Sequence, residues 1–281
     1  MAMSLTLEQL LSKSATKIAT LQEPLRTGCA ALIELAYNRG VMPIITQGMR
    51  TYAEQDVLYA QGRTKPGTIV TNARGGYSNH NFGFAADFAL LLPDGRTVSW
   101  DTLRDDDKDS LPDWSEVVDQ IRRLGFGWGG DWLSFKDMPH FEMTFGLTTA
   151  QYRAGSRPSA AKVAAAVTKI KTILKEERTM IEDLNKRLTA AEQAIAVLTN
   201  SKDVLKQVVT EQGASIAKVA DRVTKLEDRG SLEHVPPWAQ PAVDAAMAAG
   251  LINMPEGGSQ DFYRVLTVLQ RAGLLAAGKE A

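Results

Sequence analysis

Cysteine is almost absent from this sequence. Its 281 residues include a single one, Cys29, so no disulfide can form within the chain. Lysine and arginine (32) nearly balance aspartate and glutamate (33), and this balance does not favour binding to nucleic acid or to an anionic membrane. No apolar run approaches the roughly 18 residues of a membrane span. The N-terminus also lacks the basic start and apolar run of a signal peptide. We therefore expect a cytoplasmic product with no signal peptide, no membrane insertion and no nucleic-acid partner.

Proline and tryptophan are missing from about residue 160 to 228, and the only glycine there is Gly213. The segments on either side contain glycine, proline and aromatic residues. This contrast predicts three parts: a compact domain over 1–155, a helical stalk over 160–229, and a small helical domain over 231–281.

The first part has the mixed periodicity of an α+β domain. Apolar spacing predicts helices over 25–39, 51–61 and 114–124. Strands are predicted over 41–46 and 84–91, the second from its alternating pattern. Cys29 falls on the apolar face of the first of these helices, so we expect a buried thiol there and not a nucleophile.

The stalk carries a heptad pattern that holds from Val167 to Leu226. A sustained 3.5-residue repeat predicts a helix, on the order of 90 Å long, that supercoils with one or more partner helices. Apolar residues at some g positions favour three or more strands. Two alternatives stay open: a long helix packed on its own protein, and an antiparallel hairpin turning near Asn200–Asp203.

Two of the three histidines occur in segments suited to a metal site. His80 lies in a glycine-rich loop, and Asp87 follows within a predicted strand, where an unpaired carboxylate is costly to bury. His140 follows a stretch rich in glycine and aromatic residues. Two histidines and one carboxylate form a common catalytic zinc set, which leaves a fourth position for water. The third histidine, His234, precedes two prolines and is interpreted as a linker residue.

Long runs of the first part resemble a known enzyme family, the L-alanyl-D-glutamate peptidases of phage endolysins. The similarity spans about residues 25–145. Its motifs are Gln47–Gln55, Leu58–Gly67, Ile69–Ala73, Ser78–Gly83, Gly125–Trp132 and Phe135–Glu142. The family belongs to a wider group of zinc peptidases that includes D-alanyl-D-alanine carboxypeptidases.

The resemblance implies a zinc cofactor and a role for each matching residue. The metal ligands fall on His80, Asp87 and His140, and the general base falls on Asp137. Arg50 matches an arginine that holds a substrate carboxylate during catalysis, and Ser78 matches a polar residue of the substrate site. The acidic loop between Asp94 and Pro112 is a place where members of the family can differ.

The C-terminal part loosely resembles a single S-layer-homology repeat, a helix-turn-helix unit that can attach proteins to bacterial walls. A small helical capping domain is the alternative. The predicted fold is therefore α+β: a zinc peptidase domain with a small antiparallel sheet and flanking helices, followed by a long coiled-coil helix and a small helical domain.

The function this organisation predicts is that of an endolysin cleaving the L-alanyl-D-glutamate bond of bacterial peptidoglycan. We expect a homo-oligomer formed through the coiled coil. We also expect a holin to release the enzyme from the host cytoplasm to the cell wall at lysis. A D-alanyl-D-alanine carboxypeptidase and a structural wall-binding virion protein are the alternatives.

Overall fold

The computed structural model describes residues 5–275 and confirms a mixed α+β architecture followed by a long helix and two shorter ones. The helices are α1 Leu7–Ile18, α2 Leu25–Tyr37, α3 Tyr52–Ala60, α4 Asp113–Arg123, α5 Thr149–Arg153, α6 Ala160–Gly230, α7 Gln240–Ala248 and α8 Gln260–Arg271. The strands are β1 Pro43–Gln47, β2 Ala85–Leu91, β3 Val98–Ser99, β4 Gly127–Trp128 and β5 His140–Glu142.

The sheet is small and antiparallel, as predicted. Its main order is β1-β2-β5-β4, with β3 pairing beside β2. The central strand β2 is buried because α2 and α4 contribute to the same apolar core. In the β2–β5 register, Asp87 lies opposite His140. This pairing brings together two residues that are far apart in the sequence.

Helix α1 is an element that the sequence analysis did not predict. It begins with a capping box in which Thr6 and Gln9 satisfy each other's backbone amides. Leu10 is fully buried in the core, and the Ser14 hydroxyl accepts a hydrogen bond from the Ile45 backbone amide at 3.0 Å. The helix therefore supports β1, although it precedes in sequence the segment that carries the family resemblance.

The first part of α6 packs against the core of the α+β domain. Ile170 is fully buried, and Ile173 and Leu174 pack beside it. Glu177, a polar interruption of the heptad pattern, is 5% exposed and lies 2.7 Å from Arg123 and 3.5 Å from Arg39. The early heptads therefore bury their apolar face on the protein itself, as one of the alternatives had it.

The later part of α6 presents its heptad face to solvent. The a and d side chains from Leu184 onward are largely exposed, with Ile195 at 62%, Leu205 at 64% and Ile216 at 69%. The helix continues through residues 200–203, so the hairpin does not form. The chain divides into two compact units within α6, the first ending at Arg187 and the second beginning at Leu188. The coiled coil itself stays a prediction.

The C-terminal helices α7 and α8 form a small helical pair with its own core. Ala242, Val243, Tyr263 and Leu266 are buried between them. The Tyr263 hydroxyl donates to the Pro255 carbonyl at 2.7 Å, which holds the connection between the helices against α8. Within the part of the chain that the structure describes, no helix is both long enough and apolar enough to cross a membrane.

Candidate metal and active site

Three different local structures supply the predicted metal ligands. His80 lies on a short 3-10 turn, Asn79–Phe82, whose amino end is capped by the Ser78 side chain. Asp87 lies on β2 and His140 begins β5. The turn and the two paired strands place these side chains side by side, so the sequence prediction that they form one cluster is met by the geometry.

The spacing of the donor atoms fits a single metal ion. His80 Nε2 is 3.1 Å from both Asp87 Oδ1 and His140 Nδ1, and His140 Nδ1 is 3.3 Å from Asp87 Oδ1. Ligands about 2.0–2.2 Å from a tetrahedral ion lie roughly 3.3–3.5 Å from one another. His80 and His140 are almost fully buried, and Asp87 is partly buried. The side chains that carry the three donor atoms are therefore largely shielded from solvent.

In each histidine, the ring nitrogen that points away from the cluster has a hydrogen-bond partner, and this partner fixes the tautomer. His80 Nδ1 lies 2.9 Å from the Gly48 carbonyl, which only accepts, so Nδ1 donates and Nε2 keeps its lone pair for the site. His140 Nε2 lies 2.9 Å from Glu142 Oε2, which leaves Nδ1 free for the site. Asn79 Nδ2 donates to the same Glu142 oxygen at 2.8 Å. Carboxylates that orient metal-binding histidines in this way tune the affinity of the site.

Glu142 is a functional residue that the sequence analysis did not single out. It follows His140 by two positions on β5, so both side chains lie on the same face of the strand. This two-residue spacing is the feature of the sequence that could have identified Glu142. The hydrogen bond to His140 lowers the pKa of Glu142 although burial raises it, so the carboxylate is held in its charged form.

Arg50 is held in the site by two internal contacts. Its Nη2 donates to Asp87 Oδ2 at 2.6 Å, and its Nη1 donates to the buried Gln55 side chain at 3.1 Å. Its Nε is buried and has no partner among the described residues. Arg50 therefore orients the carboxylate of a candidate metal ligand and retains one buried donor without a partner there.

Asp137 lines the same cleft as the ligands. It lies in the loop before β5, where its backbone amide donates to the Gly129 carbonyl at 3.2 Å. A Cβ atom on Gly129 would lie 3.0 Å from the Cβ of His140 and closer still to the Asp137 carbonyl, so only glycine lets these segments approach. Burial, and next the charge of Asp87, raise the pKa of the Asp137 carboxyl, which strengthens it as a proton acceptor.

The cleft has a volume of about 680 Å³ and a mixed polar and aromatic lining. Ser78 contributes to its wall while its hydroxyl accepts a bond from the His80 amide at 3.4 Å. The Trp132 ring lies beside His140, with ring centroids 4.9 Å apart. Cys29 is fully buried in α2, as predicted, and burial strongly raises the pKa of its thiol.

Comparison with known proteins identifies the class to which this site belongs. A family model described as D-alanyl-D-alanine carboxypeptidase, of the M15 peptidases, matches residues 71–143. The peptidoglycan L-alanyl-D-glutamate endopeptidase CwlK of Bacillus subtilis is 54% identical over 113 residues, covering 40% of this chain and 67% of that protein. The chain belongs to the M15 peptidase family, together with this endopeptidase.

Two further relatives carry the same activity in their names. The L-alanyl-D-glutamate peptidase of Listeria phage A118 is 27% identical over 149 residues, which cover 53% of this chain and 47% of that enzyme. The chain thus spans about half the length of the phage enzyme. The crystal structure of the Serratia marcescens L-Ala D-Glu endopeptidase ChiX matches with 23% identity and a TM-score of 0.34, over 48% of this chain and 88% of that one.

Proposed function

We propose that this protein is a zinc endopeptidase that hydrolyses the L-alanyl-D-glutamate bond of peptidoglycan stem peptides. The observation that carries the proposal is the convergence of His80, Asp87, His140 and Asp137 on one cleft. The likeness to CwlK, an L-alanyl-D-glutamate endopeptidase by name, supports this choice of bond.

The donor set favours zinc over other divalent ions. Two neutral imidazoles and one carboxylate suit zinc, whereas calcium and magnesium prefer oxygen ligands alone. Bound zinc would polarise the scissile carbonyl as a Lewis acid and lower the pKa of water to roughly 7. The buried partners of the two histidines keep the lone pairs directed at the ion.

The residues of the chain then have distinct tasks in the reaction. Asp137 accepts the proton of the attacking water and afterwards delivers it to the leaving amine of D-glutamate. Arg50 orients Asp87 through Nη2 and lines the cleft, where its guanidinium could pair with a stem-peptide carboxylate. Ser78 positions the turn that carries His80 and adds a polar group to the cleft wall.

Digestion of purified peptidoglycan by the full-length protein tests the proposal. Mass spectrometry should identify fragments with new L-alanine C-termini and free D-glutamate amines. Release of terminal D-alanine alone would move the protein to carboxypeptidase activity, the description carried by the matching family model. Absence of cleavage by zinc-loaded protein would instead support a structural wall-binding component.

The rest of the chain supports a modular lysin. The exposed apolar face of α6 beyond Leu184 would be covered by further copies of the same helix, giving a homo-oligomer. Oligomerisation would present several catalytic domains and several helical pairs at 231–275 to one polymeric wall, which raises avidity without new contacts. In this proposal the enzyme collects in the host cytoplasm and reaches the wall when a holin opens the membrane.

A further inference from the structure

A second cluster of acidic side chains lies outside the peptidase cleft, in the loop that leads into α4. Asp or Glu occupies six of the twelve positions from 105 to 116. Arg104 pairs with one of them, Asp106, at 2.6 Å. No ion pair within residues 5–275 involves the other five, which are Asp105, Asp107, Asp109, Asp113 and Glu116.

The environment of Glu116 points to a missing ligand. Its side chain lies in the first turn of α4 and is only 7% exposed. Its Oε2 is buried and has no hydrogen-bond partner among the described residues. A buried carboxylate oxygen without a donor is costly, because the solvation it loses on folding is not replaced. Burial, followed by the charges of Asp109, Asp107 and Asp113, raises the pKa of Glu116 to about 7, which reflects the same lack of compensation.

The carboxylates around Glu116 are spaced as one cation requires. One oxygen from each of Asp107, Asp109 and Glu116 lies within 4.8 Å of the others, and the same holds for Asp105, Asp107 and Asp113. Calcium ligands lie 2.3–2.6 Å from the ion, so two of them are separated by at most about 5 Å. Asp107 is common to both groups, so the two sets of carboxylates adjoin each other around this residue.

The sequence spacing agrees with this geometry. In the twelve-residue EF-hand loop, calcium ligands come from positions 1, 3, 5, 7, 9 and 12, with a glycine at position 6. Counting from Asp105 places a carboxylate at every one of these side-chain positions, in the order Asp105, Asp107, Asp109, Asp113 and Glu116. Position 7, where the backbone carbonyl binds, is Leu111. Ser110 takes the place of the glycine and has the positive φ of 77° needed there.

We propose that residues 105–116 form a calcium site, with Glu116 as the ligand that ties the loop to α4. A donor set made only of oxygen atoms does not suit zinc. The number of carboxylates suits the six to eight ligands of calcium better than the octahedral, largely hydrated coordination of magnesium. The loop follows β3 instead of a helix, so only the loop and the exiting helix resemble an EF-hand. Trp114, within this segment, packs against Phe88 at 4.4 Å between ring centroids, and Phe88 adjoins the candidate metal ligand Asp87. Calcium would therefore stabilise the part of the core that packs against β2, the strand that carries Asp87.

Isothermal titration of the full-length, zinc-loaded protein with calcium chloride tests the site directly, without any measurement of activity. We expect one calcium per chain with a Kd between about 10⁻⁶ and 10⁻³ M, and much weaker binding of magnesium. At a hundredfold excess over Kd, calcium should raise Tm by roughly 5 °C. No binding at 10 mM calcium, or equal affinity for magnesium, would overturn the proposal.

Variants locate the site. Glu116→Gln keeps the shape of the side chain and should weaken calcium binding at least tenfold. Asp119→Asn is the matched control on the same helix, where Asp119 is 73% exposed, and its calcium affinity should equal that of the parent. Asp109→Asn changes an exposed loop carboxylate and provides a second test should Glu116→Gln fold poorly. Unchanged affinity in Asp109→Asn, or in a folded Glu116→Gln protein, would show that calcium binds elsewhere.

Discussion

Arg50 Nη2 donates to Asp87 Oδ2 at 2.6 Å, while Asp87 Oδ1 faces the two histidines of the metal site. The two oxygens of one carboxylate thus have separate partners. The arginine fixes the rotation of the carboxylate, and its other oxygen is the one directed at the candidate metal site. A residue assigned to substrate binding by family resemblance is therefore also part of the support of the metal site.

Arg50→Lys should lower both zinc affinity and kcat/KM. Lysine keeps the charge but cannot contact Asp87 and Gln55 at the same time, because it lacks the planar fork. Loss of a group that orients a metal ligand typically costs about 10- to 100-fold in affinity or activity. Competition with a zinc chelator and peptidoglycan turnover measure the two effects. An Arg50→Lys protein with parental zinc affinity and raised KM alone would assign Arg50 to substrate binding only.

Asp137→Asn should retain zinc but lose activity. The substitution preserves the volume of the side chain and removes the proton acceptor, so kcat should fall by about 10²- to 10⁴-fold. Metal analysis by atomic absorption and turnover of purified stem peptide are measured on the same preparation. Asp131→Asn is the control, since Asp131 is 55% exposed and pairs with Arg122 on the surface. Parental activity in Asp137→Asn would remove the assignment of the base.

The sequence analysis identified the candidate metal ligands that the fold brings together, but not the groups that support them. Histidines and a strand aspartate are recognisable from residue type and spacing, and the family motifs assigned Asp137. Gln55 and Gly48 gave no signal of their own, because their roles depend on hydrogen bonds to Arg50 and His80 that exist only in the folded chain. For Glu142, the two-residue spacing from His140 was the only signal. The same holds for the fold: periodicity predicted α2, β1 and α4 within two or three residues. Helix α1 was missed, although the capping box of Thr6 and Gln9 is a signal that can be read from the sequence.

Glu142→Gln should weaken zinc binding by about 10- to 100-fold while leaving the fold intact. The amide can still accept from Asn79 or His140, but without the negative charge that makes the imidazole a stronger ligand. Zinc affinity measured by chelator competition is the readout, with circular dichroism as the check on folding. Glu176→Gln, an exposed position on α6, is the control. Equal zinc affinity in the two variants would limit Glu142 to a structural role.

Glu177→Ala should destabilise the first compact unit by about 1–3 kcal/mol. The substitution leaves Arg123 and Arg39 without the buried carboxylate that they share, and it opens space beneath α6. Urea denaturation followed by tryptophan fluorescence measures the change in the free energy of unfolding. The neighbouring Glu176→Ala lies on the exposed side and should change stability by less than about 0.5 kcal/mol. A similar small effect for both residues would show that the end of this packed segment contributes little.

Leu205→Asp should reduce the oligomer to a monomer without loss of the peptidase fold. Leu205 is a d position in the part of α6 whose heptad face is exposed, and it is 64% exposed in the single chain. A charge in the seam of a coiled coil must be buried without a partner, whereas in a monomer it is solvated. Light scattering coupled to size exclusion gives the mass of each species. Asn200→Asp, at an f position outside the seam, adds the same charge and should leave the mass unchanged. A parent protein that is already monomeric at micromolar concentration would rule out the coiled coil, and the apolar face of α6 would then require a different partner.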